Sequence, residues 1–318
     1  MNKPATKEMT KTQEYGVGEL VPYINWAYFF YAWGIQPKFC SITTVHDCPA
    51  CRQSWIAAFE PKLQEPARQA SSLYDDALAM LRTFGTKHKL KAKFGLFPAH
   101  SEDDDIVIVT DSGEEMRLPF LRQQTSQKEG RPNLCLADFI SPKRPTLPAE
   151  GFPIANTLGI FATAVDREME QAFADDDYKH KLTQTLCDRL AEATAEKLHE
   201  DVRKHYWGYS PGEAFTPSEL FAEKYQGRRP AVGYPSIPDQ SFIFLMDKAL
   251  GFSDIGVSLT ENGMMVPHAA VAGLMFGHPG SRHFSVGPIG NDQLSDYARR
   301  RGISVKEASK YLAANCKL

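Results

Sequence analysis

The chain has 318 residues, of which 42% are hydrophobic and 24% charged, as is typical of a globular protein that buries a large core. Its formal net charge of -3 offers no basic surplus to phosphate backbones, which disfavours nucleic-acid binding. Residues 1–16 lack the apolar core of an export signal, and no stretch is long enough to span a bilayer. We therefore expect a cytoplasmic protein without nucleic-acid or membrane partners.

The first elements are predicted to be an arm and then a helical portion. Residues 1–20 are predicted to form a mobile N-terminal arm that precedes one large domain, residues 21–318. The aromatic-rich stretch 21–33 is typical of an element buried on several sides. Residues 69–82 carry apolar side chains at helical spacing, which predicts a helix.

Between these elements lies a cysteine-bearing segment, residues 36–66, which we interpret as an insertion. It contains Cys40, His46, Cys48 and Cys51 in a C-x5-H-x-C-x2-C arrangement. Four such ligands could close a tetrahedral structural zinc site. The alternative is a loop with reduced thiols, because a cytosolic location would keep cysteines reduced.

The rest of the chain alternates strand and helix patterns. Short apolar runs between turn residues predict strands at 95–98, 105–110, 115–118, 158–165, 256–259 and 283–289. Helical patterns cover 168–205, as one or two helices, and also 241–250, 293–301 and 305–314. Capping boxes at Thr216-Pro217-Ser218-Glu219 and Ser304-Val305-Lys306-Glu307 predict two helix starts. The Pro- and Gly-rich loop 141–151 is the best internal boundary.

Motifs for nucleotide binding and serine hydrolysis are absent from the sequence. His199-Glu200 does not complete a zinc-protease motif, because Arg203 stands where the second histidine is required. We interpret that pair as part of a solvated helix face.

The segment Arg229-Pro230-Ala231-Val232-Gly233-Tyr234-Pro235 is the strongest candidate for a ligand site. Arginine presents a planar fork of donors to a carboxylate or phosphate, and glycine lets the main chain approach a ligand closely. Tyrosine adds a flat face with a polar tip. By itself the segment is more typical of a rigid surface turn with a solvated arginine.

The surrounding motifs decide between these readings. They are Tyr23-Ile24-Asn25-Trp26, Gly95-Leu96-Phe97-Pro98-Ala99, Leu121-Arg122-Gln123-Gln124-Thr125, Cys135-Leu136-Ala137-Asp138-Phe139, Asp188-Arg189-Leu190-Ala191-Glu192, Tyr206-Trp207-Gly208-Tyr209, Tyr225-Gln226-Gly227-Arg228, His278-Pro279 and the run from Asp296 to Gly302. In this order they resemble the activation domain of cobalamin-dependent methionine synthase, from about Tyr23 to about Leu312. The resemblance implies an α+β fold, with a twisted, mainly antiparallel sheet flanked by helices.

The resemblance also implies a function. The activation domain binds S-adenosylmethionine and presents its methyl group to a corrinoid that has fallen into the Co(II) state, while flavodoxin or a similar donor supplies an electron. The chain lacks the D-x-H-x-x-G motif that ligates cobalt, so cobalamin is expected on a partner module or subunit. The expected function is therefore reactivation of a split methionine synthase. The alternatives are a non-catalytic S-adenosylmethionine-sensing or corrinoid-protein-docking module, and a reactivator of another corrinoid methyltransferase.

The same resemblance indicates which residues meet the ligand, and it implies no catalytic residue. The positions that match are Asn25, Glu192, Arg229, Ala231, Gly233, Tyr234, His283 and Phe284. Arg229 is expected to bind the carboxylate of S-adenosylmethionine, and Glu192 its ammonium group or hydroxyls. Two positions depart from the family pattern: Asn25 replaces an aspartate, and His283 replaces one of two neighbouring aromatic residues.

Overall fold

The architecture is built around one long central strand, β2. A computed structural model describes residues 9–125, 130–144 and 153–316. The strands are β1 (Thr10–Gly16), β2 (Lys89–Glu102), β3 (Asp105–Val109), β4 (Glu115–Pro119), β5 (Thr157–Ala164), β6 (Ser258–Leu259), β7 (Met265–Val266) and β8 (Ala270–Met275). The helices are α1 (Val17–Leu20), α2 (Trp26–Ala32), α3 (Pro49–Ala57), α4 (Pro61–Gly85), α5 (Arg167–Glu170), α6 (Asp177–Asp201), α7 (Pro217–Phe221), α8 (Phe242–Leu250), α9 (Asn291–Arg301) and α10 (Val305–Tyr311).

Six strands form the main sheet, in the order β4-β3-β2-β5-β8, with β1 beside the first half of β2. Every pairing in it is antiparallel. All eight residues of β5 are buried, which explains why that strand is a nearly continuous apolar run. The predicted combination of helices with an antiparallel sheet is confirmed.

Helices cover both faces of the sheet. On one face α1, α2, α4 and α6 contribute to a core that contains Phe29, Phe94 and Leu190. On the other face α8 packs against the sheet in a second core, around Phe97 and Phe242. Burial on both faces removes a large apolar area from water, which is the main driving force for this arrangement. Among the described residues, no helix is both long and apolar enough to cross a membrane.

Several element predictions require correction. Residues 10–20, predicted to belong to a mobile arm, form β1 and α1, and β1 pairs along its whole length with β2. Residues 1–8 and most of the predicted boundary loop lie outside the described residues. The predicted strand 283–289 is irregular, because Gly287 has a φ of 73° and Pro288 has no N–H to donate. By contrast, the helical pattern predicted over 168–205 is present as two helices, α5 and α6, and α6 continues into a wider π-helical turn, Val202–Tyr206.

The cysteine segment, residues 36–66, folds onto the first core. A 3₁₀ helix, Pro37–Thr44, places Phe39 and Ile42 in that core, and α3 follows it. The rings of Phe39, Trp55 and Phe59 contact one another, with Trp55 and Phe59 centroids 4.9 Å apart in an edge arrangement. Such edge contacts add to the burial energy of the rings. The segment is therefore packed through its own aromatic cluster.

Candidate functional site

A cavity of about 810 Å³ opens between α6, the start of α2 and two irregular segments, 229–236 and 283–285. Its volume lies within the range of roughly 300–1,000 Å³ that is common for small-molecule sites. Seven of the eight residues expected to contact a ligand line it: Asn25, Glu192, Arg229, Ala231, Tyr234, His283 and Phe284. Gly233 does not line the cavity, but its φ of 84° forms the turn that precedes Tyr234.

The segment around Arg229 is held as an irregular addition to the sheet. Residues 228–232 run antiparallel to β8, and Leu274 donates a backbone hydrogen bond to the Pro230 carbonyl at 2.9 Å. A Cβ on Gly273 would lie only 2.5 Å from that carbonyl oxygen. A glycine is therefore required at position 273 for this close approach, which fixes the backbone that carries Arg229.

The α6 helix supplies the surface that faces Arg229. Glu192, Glu196 and His199 stand at positions i, i+4 and i+7, so they share one face of the helix. Arg229 Nη2 donates to Glu196 Oε2 at 3.2 Å, and Arg229 Nη1 lies 3.3 Å from His199 Nδ1. The Arg229 and Glu196 side chains are only 14% and 11% exposed. The guanidinium is thus oriented by two contacts from a rigid helix.

The electrostatics fix the protonation states of this group. His199 is fully buried, and this burial, together with the positive charges of Arg203 and Arg229, holds the pKa of its imidazole well below the ordinary value. A neutral imidazole accepts a hydrogen bond from Arg229 through Nδ1. Burial by itself lowers the pKa of Arg229, but Glu196 and other neighbouring groups outweigh that effect, so its pKa is raised and it stays a cation. The interpretation of the His199-Glu200 pair as a solvated face is therefore wrong for His199.

The polar network behind Arg229 is incompletely satisfied. Within the described structure Glu196 Oε1 and His199 Nε2 are buried without a hydrogen-bond partner. Deeper in the same region, Arg203 forms a fully buried ion pair with Glu213 at 2.5 Å and stacks on Tyr225 at 3.8 Å. Unsatisfied buried polar atoms cost free energy, so they are uncommon in the interior and concentrate at functional positions.

Two further polar groups face the cavity without a protein partner. The half-buried Glu192 carboxylate has neither a hydrogen bond nor an ion pair with the residues that the structure describes. Asn25 is the N-cap residue of α2, but its carboxamide makes no capping hydrogen bond. An unpartnered carboxylate beside a fixed guanidinium gives the cavity one anionic and one cationic contact point.

Aromatic side chains surround the cavity. Tyr28, Phe221 and Tyr234 line it and are 61%, 37% and 57% exposed. Exposed aromatic rings are costly unless something packs on them, and they are enriched at binding surfaces. Tyr28 and Phe221 were not among the residues expected from the sequence.

His283 has a polar partner instead of a stacking one. Its Nε2 lies 2.9 Å from Glu223 Oε1, and Glu223 also pairs with Arg228. The His283 hydrogen bond, reinforced by nearby arginines, lowers the pKa of Glu223 despite partial burial. The next residue is pinned by Ser236, whose Oγ donates to the Phe284 carbonyl at 2.5 Å. The two irregular walls of the cavity are therefore joined by hydrogen bonds.

This geometry can be compared with known proteins. The model of the family described as "Vitamin B12 dependent methionine synthase, activation domain" matches residues 16–302. The chain belongs to this family. A crystal structure described as the MetH reactivation domain bound to AdoHcy (S-adenosylhomocysteine) is 36% identical, with a TM-score of 0.82, and the match covers 98% of this chain and 91% of that one.

The activation domain thus carries most of the expected ligand residues around one cavity, and their contacts with a ligand remain predictions. The sequence analysis missed Tyr23, Arg189, Glu196 and Glu223, which also line that cavity. Glu196 could have been found, because it stands one helical turn after Glu192. Glu223 carried no such signal, since it follows a short helix and has a φ of 50°, which is uncommon for residues other than glycine.

The predicted metal ligands of this activation domain are brought together only in part. One ligand atom from each of His46, Cys48 and Cys51 lies within 4.8 Å of the others, and Cys40 is not a member of this group. Cys40 instead lies in the preceding 3₁₀ helix and packs against the first core. Hydrogen bonds from Cys51 lower the pKa of Cys48 to about 7.

Proposed function

We propose that this activation domain binds S-adenosylmethionine in the cavity and presents its methyl group to an inactive corrinoid held by a partner in a split methionine synthase. The observation that carries the proposal is the fixed Arg229 guanidinium, set in a cavity of about 810 Å³ beside the unpartnered Glu192 carboxylate. The related crystal structure with bound AdoHcy supports the same ligand class.

The ligand offers one group for each kind of contact in the cavity. Its carboxylate pairs with Arg229, since charge-assisted hydrogen bonds are roughly twice as strong as neutral ones. Its ammonium group or ribose hydroxyls meet Glu192, and main chain at Ala231 meets its polar edge. Tyr234 covers a flat or cationic part, because an aromatic face attracts a cation such as a sulfonium. Asn25 contributes a neutral contact.

The chemistry requires orientation more than proton transfer. A flavodoxin-like donor reduces the partner's cobalt from Co(II) to Co(I), and the cobalt electron pair then forms a bond to the methyl carbon. The carbon–sulfur bond breaks, and its electron pair stays on sulfur, which releases neutral S-adenosylhomocysteine. No acid or base is needed, so the residues of this chain position the sulfonium and exclude water.

Two observations favour a second candidate, a module that senses S-adenosylmethionine or docks a corrinoid protein without supporting methyl transfer. Asn25 removes one negative charge that would face a cationic ligand, and His283 pairs with Glu223 at 2.9 Å instead of presenting a second plain aromatic ring. A reactivator of another corrinoid methyltransferase would use the same chemistry with a different partner.

Reconstitution distinguishes these functions. The chain would be mixed with a corrinoid module in the Co(II) state, a chemical or flavodoxin reductant and S-adenosylmethionine labelled in the methyl group. We expect label to appear on the corrinoid only when the chain is present, and to fall sharply with Arg229→Lys. Ligand binding without label transfer to any corrinoid protein tested would refute reactivation and favour the sensing module.

A further inference from the structure

Outside the cavity, the cysteine segment gathers three metal-ligating side chains. His46, Cys48 and Cys51 each offer one ligand atom, and these atoms lie within 4.8 Å of one another. Four ligands at normal bond lengths around one tetrahedral zinc ion have similar mutual separations, with zinc–sulfur and zinc–nitrogen bonds of about 2.3 and 2.0 Å. The donors are therefore close enough to share one ion after small side-chain rotations.

The fold holds these donors through local backbone geometry. Cys48 is the N-cap of α3, and its Sγ accepts a hydrogen bond from the Cys51 N–H at 3.3 Å. His46 Nδ1 accepts from the Cys48 N–H at 3.2 Å, which turns the imidazole toward the two sulfurs. Both cysteines are therefore spaced by the first turn of the helix.

The helix that carries the donors is itself anchored to the domain. Arg52, the residue after Cys51, is buried and donates to the Ile42 carbonyl at 3.2 Å and to Asp75 of α4 at 3.1 Å. Its guanidinium also lies 5.4 Å from the centroid of the Tyr74 ring. The cluster is thus fixed to the same scaffold as the rest of the fold.

We propose that His46, Cys48 and Cys51 bind one thiophilic divalent cation, with zinc the foremost candidate, and leave the fourth coordination position open. Two thiolates and one imidazole are the donor types that zinc prefers. The four-ligand closed site expected from the sequence is replaced by a three-ligand site, because Cys40 lies outside the group. The His46 side chain is 75% exposed, so the open position faces solvent and accepts water or an external ligand.

The main competing state is a disulfide between Cys48 and Cys51, which are free in this structure. Ion binding releases the two thiol protons and needs no oxidant, whereas the disulfide requires loss of two electrons to an acceptor. Handling the protein under reductant in the absence of oxygen therefore separates the two states.

The test uses the full chain, reduced and stripped of metal, titrated with Co²⁺ as a spectroscopic probe and then with Zn²⁺. We expect one equivalent of Co²⁺ to give thiolate charge-transfer absorption and the visible bands of a tetrahedral ion, and Zn²⁺ to displace it. Cys48→Ser and Cys51→Ser should each weaken binding by more than about 10- to 100-fold, the loss typical of changing a group that only supports a ligand. Cys40→Ser is the matched control and should bind as the wild type does.

Two results would overturn the proposal. One is uptake well below one equivalent by fully reduced protein, which would leave the cluster as plain thiols. The other is loss of binding in Cys40→Ser equal to that in Cys48→Ser, which would restore the closed four-ligand site. Circular dichroism of each variant shows that it is folded, so that a lost metal is not mistaken for a lost fold.

Discussion

The proposed contact between Arg229 and a ligand carboxylate is open to a quantitative test. Removing a charged hydrogen bond of this kind costs about 1.5–3 kcal/mol, which corresponds to a loss of about 10- to 150-fold in affinity. The obvious variant, Arg229→Ala, is a poor probe, because it removes the cation that pairs with Glu196, whose side chain is only 11% exposed. Breaking such a buried pair costs about 3–5 kcal/mol, a large part of the roughly 5–15 kcal/mol that holds a domain folded.

A better perturbation neutralises both partners. The double variant Arg229→Gln with Glu196→Gln removes the cation and the buried anion together, so no uncompensated charge remains. Arg229→Lys is the conservative companion, since it keeps the charge but loses the planar fork that binds a carboxylate through two parallel bonds. We expect a smaller loss of affinity for Arg229→Lys, about tenfold, and a larger loss, up to about 150-fold, for the double variant.

The assay is isothermal titration calorimetry with two ligands, S-adenosylmethionine and its decarboxylated analogue. The wild type should bind the analogue about 10- to 150-fold more weakly, and the double variant should bind both ligands with similar affinity. This cycle isolates the interaction of Arg229 with the carboxylate from any general damage to the cavity. If the double variant still discriminates between the ligands as the wild type does, the assignment of Arg229 is refuted.

Three further outcomes test other parts of the site. Asn25→Asp should tighten S-adenosylmethionine binding by about 2- to 10-fold, because an ionised acceptor then faces a cationic ligand, whereas Asn25→Ala should not tighten it. If calorimetry gives equal affinities for the wild type and Asn25→Asp, the side chain does not face the ligand. The fully buried His199 has a lowered pKa, so below its ordinary pKa of about 6.5 the unfolded state binds a proton that the folded state does not. The free energy of unfolding should therefore fall from pH 7 to pH 5 by up to about 1.4 kcal/mol per pH unit. Denaturant titrations should show a flatter pH dependence of this free energy for His199→Gln than for the wild type. Parallel pH profiles for the two proteins would contradict this. Gly273→Ala should destabilise the domain by about 1–3 kcal/mol and weaken ligand binding, because its Cβ would lie 2.5 Å from the Pro230 carbonyl, whereas Gly212→Ala, with nothing within 4 Å, should do neither.

Local signals were sufficient for many elements of the fold. The capping box at Thr216 is present, with Thr216 Oγ1 accepting from the Glu219 N–H at 3.4 Å, and Ser304 caps α10 in the same way at 3.1 Å. These interactions involve residues three positions apart, so a stretch of four residues shows both partners of the hydrogen bond. The apolar run of β5 is equally visible, because each of its residues is buried.

Elements that depend on distant partners could not be predicted in this way. β1 is a polar strand whose sheet partner, β2, begins more than seventy residues later, so its composition is that of a solvated arm. Residues 283–289 are apolar enough for a strand, but no strand lies beside them in the described structure, and Ser236 and Pro235 take their backbone hydrogen bonds instead.

For the candidate site, the sequence identified the segment that carries Arg229 better than the residues that hold Arg229 in place. The composition of residues 229–235, with arginine, proline, glycine and tyrosine, indicates a rigid, polar turn by itself. The support from Glu196 and His199 depends on which face of α6 is turned toward that segment, and this follows only from the packing of α6 on the sheet. His199 therefore looked like a surface residue although it is fully buried.

The position of residues 228–232 beside β8 also bears on aggregation. The outer side of a terminal strand displays free N–H and C=O groups that readily recruit strands from other molecules. Here that side of β8 is occupied by the same backbone that carries Arg229, through bonds such as Val232 N to Ala272 O at 3.1 Å. Residues 228–232 thus also cover the edge of the sheet, and substitutions that loosen them should promote self-association as well as weaken the proposed ligand binding.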